Sequence, residues 1–132
     1  MNIQYKSGHT PSAAEVIAVY DSSGIRRPTD DPARIGEMYR NSNCILTAWD
    51  GDLLVGVSRA ITDFHFCCYL SDLAIRKEYQ HHGIGKKLVQ LTKEAIGPRC
   101  MLLLLAAPTA MEYYPKIGME KLDNAFMIKR EQ

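Results

Sequence analysis

The order of periodic segments predicts an α+β fold, with a mixed, mostly antiparallel sheet flanked by helices. Three observations carry this. Strand-like segments from Cys44 to Ile75 are joined by hairpin-type turns. A strand, a helix and another strand within about 40 residues imply a parallel crossover. Helical periodicity appears both before and after the strand meander.

Residues 2–6 read as a short first strand. Ser12 and Glu15 have the S-x-x-E spacing of a capping box, so a helix starts there, with Ala13, Val16, Ile17 and Tyr20 on one face and a stop at Gly24. After the polar loop "SSGIRRPTD", Asp31-Pro32 sets an N-cap before proline at the first helical position and opens a second helix carrying Ile35, Met38 and Tyr39. "CILTAWD", "LLVGVSRAI" and "FHFCCYLSDLAI" are strands, and Asp50-Gly51 is the clearest turn. Ile84, Leu88, Leu91 and Ala95 line one face of the next helix, opposite Lys86, Lys87, Gln90 and Glu94, and Gly97-Pro98 ends it. "CMLLLLAA" lacks alternation and is expected to be a strand buried on both faces. A short helix near Thr109 to Ile117, a stop at Gly118, and strands in "MEKLD" and "AFMIKR" complete the expected order β-α-α-β-β-β-α-β-α-β-β, one domain over residues 1–132.

With 46% hydrophobic and 23% charged residues the chain has enough apolar material for a core without staples. A net charge of +1 offers no global field for nucleic acid or a membrane surface. Cys44, Cys67, Cys68 and Cys100 contain no CxxC pair, and the neighbours Cys67 and Cys68 point to opposite faces of a strand, so buried free thiols are expected rather than disulfides or zinc ligands. The N-terminus lacks a basic-then-apolar leader pattern and the longest apolar run is too short to span a bilayer, which leads to the expectation of a cytoplasmic protein.

Gln80 to Gly85, "QHHGIG", lies between the third of these strands and the following helix. A helix N-terminus presents unpaired N–H groups and a partial positive charge, so a glycine turn there can receive phosphate oxygens. A mononucleotide P-loop, G-x-x-x-x-G-K-[ST], would need glycine where Gln80 stands and a hydroxyl where Lys87 stands. A dinucleotide fingerprint would need glycine at Leu88 and an acid about 20 residues on, where "MLLLLAA" lies. Neither fits, and a lone G-x-G also reads as a hinge that only permits positive φ.

The longer stretch "DLAIRKEYQHHGIGKKLVQLT" resembles the acetyl-CoA segment of the GNAT N-acetyltransferase superfamily, a strand reading L-A-V followed by [RQ]-x-x-G-x-G/A, and "EYYPKIGME" is similar to that family's later F-Y-x-K-x-G-F. The deduced element order matches the family fold. The resemblance implies that the strand ending at Leu73, Ala74 and Ile75 splays from "MLLLLAA" and admits the pantetheine of acetyl-CoA, the cosubstrate. It also implies that Gln80, His81, His82, Gly83, Ile84, Gly85 and Lys86 bind the pyrophosphate. Lys86 and Lys87 would add positive charge there, or equally form a solvated helix face. The histidine pair reads as loop rather than metal site, because adjacent histidines on a turn rarely converge on one ion and no third ligand is evident.

For the chemistry, the resemblance implies a backbone N–H near Leu73 or Ala74 for the oxyanion and Tyr114 as general acid for the departing thiolate. The plain alternative for Tyr114 is an aromatic packed on the core with a wet hydroxyl. Asp72 is the first choice as general base, ahead of Asp63 and His65, although an Asp at a strand end is often only capping or solvated. Acceptors in this family lie across the sheet beside the loop between the first two helices, so Arg26 and Arg27 become candidates to meet a carboxylate or phosphate on the acceptor. That loop reads equally as an exposed basic one. "VYDSSGIRRP" also resembles the arylalkylamine-type branch of plastids and bacteria. Three departures from the family pattern stand out: Ala107 in place of an asparagine, Met119 in place of an aromatic, and Pro115, which removes a donor and would shorten the last helix. The expected function is acetyl-CoA-dependent N-acetyl transfer to a primary amine, of a small molecule or a protein, through a tetrahedral intermediate. A homodimer is among the expected partners, since dimers are common in the superfamily. The rival of another class is a non-catalytic acyl-CoA sensor or partner-binding module, which needs no phenol at position 114.

Overall fold

The computed structural model describes residues 1–132. Its sheet has five strands in chain order: β1 (Ile3–Ser7), β2 (Cys44–Asp50), β3 (Leu53–Thr62), β4 (Cys67–Ile75) and β5 (Met101–Leu103). Neighbours from β1 to β4 are antiparallel, and β5 joins β4 in parallel across the crossover helix. The mixed sheet is therefore the one that the sequence predicts.

Helices α1 (Ala13–Ser23) and α2 (Pro32–Arg40) cover one face, and α3 (Ile84–Ile96) covers the other. Alternate residues of β2 divide between the two cores: Cys44, Leu46 and Ala48 pack under α3, while Ile45 and Trp49 pack under α1 and α2. The predicted signals sit where local chemistry requires. Ser12 and Glu15 form the reciprocal capping box of α1, Gly24 closes α1 at φ 82°, and the Asp31 carboxylate accepts from Arg34 N at the start of α2.

Gly56 of β3 lets α3 approach the sheet. A Cβ there would stand 2.9 Å from Ile75 Cδ1 and 3.2 Å from Leu88 Cδ1. Gly56→Ala is therefore expected to lower stability by about 1–3 kcal/mol through overpacking, read as a lower urea midpoint with unchanged slope.

Three expectations need correction. The segment "CMLLLLAA" is not buried on both faces: only Met101–Leu103 pair, β5 is the sheet edge, and Met101 and Leu105 are exposed. "MEKLD" and "AFMIKR" form no strands. A strand needs a neighbour for its backbone hydrogen bonds, and these residues have none, so Phe126 is 98% and Ile128 100% exposed. Of the four free cysteines, Cys67 is exposed rather than buried. The last helix is a 3₁₀ turn at Pro108–Ala110 and then α4 (Tyr113–Lys116), a single turn containing Pro115.

Candidate active site

Strands β4 and β5 part after three residue pairs, the last being Tyr69 with Leu103. The edge of β4 that faces β5 is consequently without a strand partner from Leu70 to Ile75. Gln80 Nε2 donates to Ile75 O at 3.0 Å and ties the end of this edge to the glycine turn. His81 and Gly83 adopt left-handed φ values of 66° and 80°. Gly83 is the N-cap of α3 and brings no side-chain cap, and the first helical bond runs from Lys87 N to Gly83 O at 3.0 Å. The backbone N–H groups of His81 to Lys86 donate to no protein acceptor. Free donors at the positive end of a 13-residue helix therefore adjoin an open strand edge.

The second glycine of the turn has a different reason from the first. Gly85 is helical, but a Cβ on it would lie 2.7 Å from the hydroxyl of Tyr113. Tyr113 was missed by sequence reasoning because it fills the aromatic slot of the F-Y pair, where packing rather than reach is expected. Tyr114, half-buried beside it with ring centroids 5.2 Å apart, lines a cavity of about 900 Å³ between α3, β5 and the residues after α4. Lys86, Leu104 and Met119 share that wall. Residues 104–106 of the same wall follow directly on the last β4–β5 pair, Tyr69 with Leu103. Burial, and then the neighbouring Tyr113, raise the phenol pKa of Tyr114, so it is protonated at neutral pH and able to donate.

Ser71 is a bulge in β4: Asp72 pairs with Arg59 and Leu70 with Ala60, leaving Ser71 unopposed. An unbroken strand would put Asp72 with Cys68 and Leu70 in the core under α3. The extra residue swings it to the opposite face, among Tyr20, Tyr39 and two arginines. There Asp72 Oδ1 accepts from Arg27 Nε at 2.6 Å and Ser71 Oγ at 3.2 Å, and Oδ2 accepts from Arg59 Nε at 2.7 Å and Tyr20 Oη at 2.6 Å. Burial pushes the Asp72 pKa up, but the Arg59 bond and charge, with Tyr20 and Arg27, outweigh this and hold it below the ordinary carboxylate value. The expectation of Asp72 as general base is thereby corrected. It is 0% exposed, both oxygens are occupied, and its proton affinity is lowered.

A model of the Acetyltransferase (GNAT) family matches residues 14–119. The chain belongs to this family. Among curated proteins, the Arabidopsis thaliana "GCN5-related N-acetyltransferase 2, chloroplastic" is 32% identical over 69 residues, which are 51% of this chain and 27% of the relative's own length. Among solved structures, a Staphylococcus aureus protein described as a probable acetyltransferase superposes with a TM-score of 0.83 at 20% identity, covering 98% of this chain and 100% of the other. A GNAT-family acetyltransferase from Streptococcus pneumoniae gives 0.74 at 22% identity over 98% and 100%. An aminoglycoside N-acetyltransferase in complex with CoA gives 0.74 at 11% identity over 99% and 96%. These likenesses establish the fold.

On this GNAT fold the remaining predicted residues separate into groups. Leu73, Ala74 and Ile75 lie along the open edge, with Ala74 buried under α1 and α2 and Leu73 and Ile75 packed against the core under α3. Ile84 is a core residue, so only its backbone faces the turn. His82 and Lys86 are exposed. Arg26 is exposed and makes no side-chain bond, whereas Arg27 is locked onto β4, its Nη2 donating to Ser71 O at 2.7 Å. Neither reserve base is placed for the role: Asp63 caps the β3–β4 turn by accepting from the backbone N–H groups of His65, Phe66 and Cys67, which lowers its pKa to about 2, and His65 sits in the same turn, beyond the far end of β4. No helix is long and apolar enough to cross a membrane.

Proposed function

We propose that this chain is an acetyl-CoA-dependent N-acetyltransferase acting on a primary amine. The observation that carries the reading is the open β4 edge, Leu70 to Ile75, leading directly to the undonated amides of residues 81–86. Phosphate oxygens suit those amides, and the two amides of a pantetheine arm suit an unpaired strand edge, as in recognition by strand addition. Membership of the GNAT family supports the same assignment.

The amine nitrogen attacks the thioester carbonyl carbon; the C–N bond forms and a tetrahedral oxyanion develops, stabilised by a backbone N–H at Leu73 or Ala74. As the C–S bond breaks, Tyr114 gives its proton to the CoA thiolate, and the proton lost by the nitrogen leaves to solvent. Tyr113 occupies a different station. Its hydroxyl lies at Gly85, the phosphate end of the track, where it binds rather than protonates. Asp72 positions Arg27 and the α1–α2 loop and does not act as base.

Tyr114→Phe is expected to lower kcat about 10²–10⁴-fold while leaving acetyl-CoA affinity intact, whereas Tyr113→Phe should weaken acetyl-CoA binding and spare kcat. Thiol release and calorimetry measure the two quantities. Unchanged turnover in Tyr114→Phe would remove it from the chemistry, and micromolar acetyl-CoA binding without acetylation of any amine would favour a sensor.

A further inference from the structure

We propose that the acceptor is a primary amine that also carries a carboxylate, selected by Arg27; this rests on the acyl-transfer reading above. The buried cluster holds two guanidinium groups and one carboxylate. Tyr20 and Tyr39 are kept neutral by burial, so one positive charge is left without a counter-ion, a costly arrangement in an interior. Arg59 is sealed in, with 8% of its side chain exposed, while Arg27 retains 26%, so the surplus is presented to solvent at Arg27. Neither Asp21 nor Asp30 bonds to it, and the Asp31 carboxylate caps α2.

Arg27 donates from Nε to Asp72, from Nη1 to Arg26 O and from Nη2 to Ser71 O. Each terminal nitrogen thus keeps one N–H. A carboxylate supplies the single negative charge and the two acceptor oxygens that this edge lacks, whereas a phosphate near its dianionic state would overcompensate.

Position supports the same conclusion. A cofactor with its phosphates at residues 81–86 and its arm along β4 runs from Ile75 towards Leu70, five residue steps or about 17 Å of strand. With its thioester carbonyl at Leu73, the rest of that edge leads on to the Ser71 bulge, which Arg27 grips. The amine reacts beside Leu73 while the carboxylate meets Arg27, two residue steps or about 7 Å away. That separation fits an ω-amino acid, with several bonds between nitrogen and carboxylate. A polyamine, whose second charge is positive, is repelled from the same point.

The test compares kcat/KM for glycine, β-alanine, γ-aminobutyrate and ε-aminocaproate with that for the primary amide of γ-aminobutyrate, tyramine and spermidine, using acetyl-CoA and thiol detection. The two longer ω-amino acids should lead, and the amide of γ-aminobutyrate should be about ten- to a hundredfold poorer than γ-aminobutyrate itself, the worth of a charged hydrogen bond. Arg27→Gln should erase the acid-over-amide preference, read as the ratio of the two kcat/KM values within the variant. The wild-type ratio stands by itself if that variant fails to fold. Equal or better use of the amide, tyramine or spermidine overturns the inference, as does the absence of acetylated carboxylates while acetyl-CoA still binds by calorimetry. Loss of acetyl-CoA binding altogether would instead overturn the reading beneath it.

Discussion

Asp72→Ala will destabilise the fold by about 3–5 kcal/mol, because it leaves two arginines inside the protein with no counter-ion. Arg59 would lose its 2.7 Å partner and Arg27 its 2.6 Å one, while Tyr20 would lose a buried acceptor. Equilibrium urea unfolding measures the loss. The same carboxylate makes an acid limb predictable. Its folded-state pKa lies below the unfolded one, so its contribution is complete above the ordinary carboxylate range and is lost as pH falls from that range through the depressed folded value. Wild type should therefore lose stability progressively below about pH 4, and Asp72→Asn should lack that portion of the slope. A variant as stable as wild type, with an unaltered acid limb, would show that the arginines find other partners.

Gly83→Val is expected to reduce acetyl-CoA affinity by more than about tenfold, with only a modest fall in thermal stability. At φ 80° a β-branched residue is strained, and relief of that strain turns the free amides of the following residues away from a common centre. Gly85→Val should have a comparable effect on affinity by another route: its Cβ would displace Tyr113 from the turn. Isothermal titration with acetyl-CoA separates binding from folding when the melting temperature is followed in parallel. Wild-type affinity in both variants would remove the turn from the cofactor site.

What the sequence made legible follows the range of the forces involved. The caps at Ser12 and Asp31, the turn at Asp50-Gly51 and the stop at Gly97 depend on neighbours three or four residues away, and each was readable. The glycine turn was readable for the same reason, as was its place before a helix. The partners of Asp72 were not: Arg59 and Arg27 lie 13 and 45 residues away, and a single unopposed residue at Ser71 decides which face the carboxylate meets. No local pattern announces such a bulge. The extent of β5 and the strand character of "AFMIKR" were misread because strand propensity is realised only beside a partner, and sequence alone does not count partners.

That unpaired segment also sets how the protein behaves in a tube. Phe126, Met127 and Ile128 stand naked beside Lys129 and Arg130, so two copies brought together meet apolar attraction and like-charge repulsion at the same spot. The basic pair acts as a gatekeeper against clumping, and its reach contracts with added salt, from about 10 Å at 0.1 M to about 3 Å at 1 M. Concentrated, high-salt stocks are consequently the condition under which this molecule is least protected from itself.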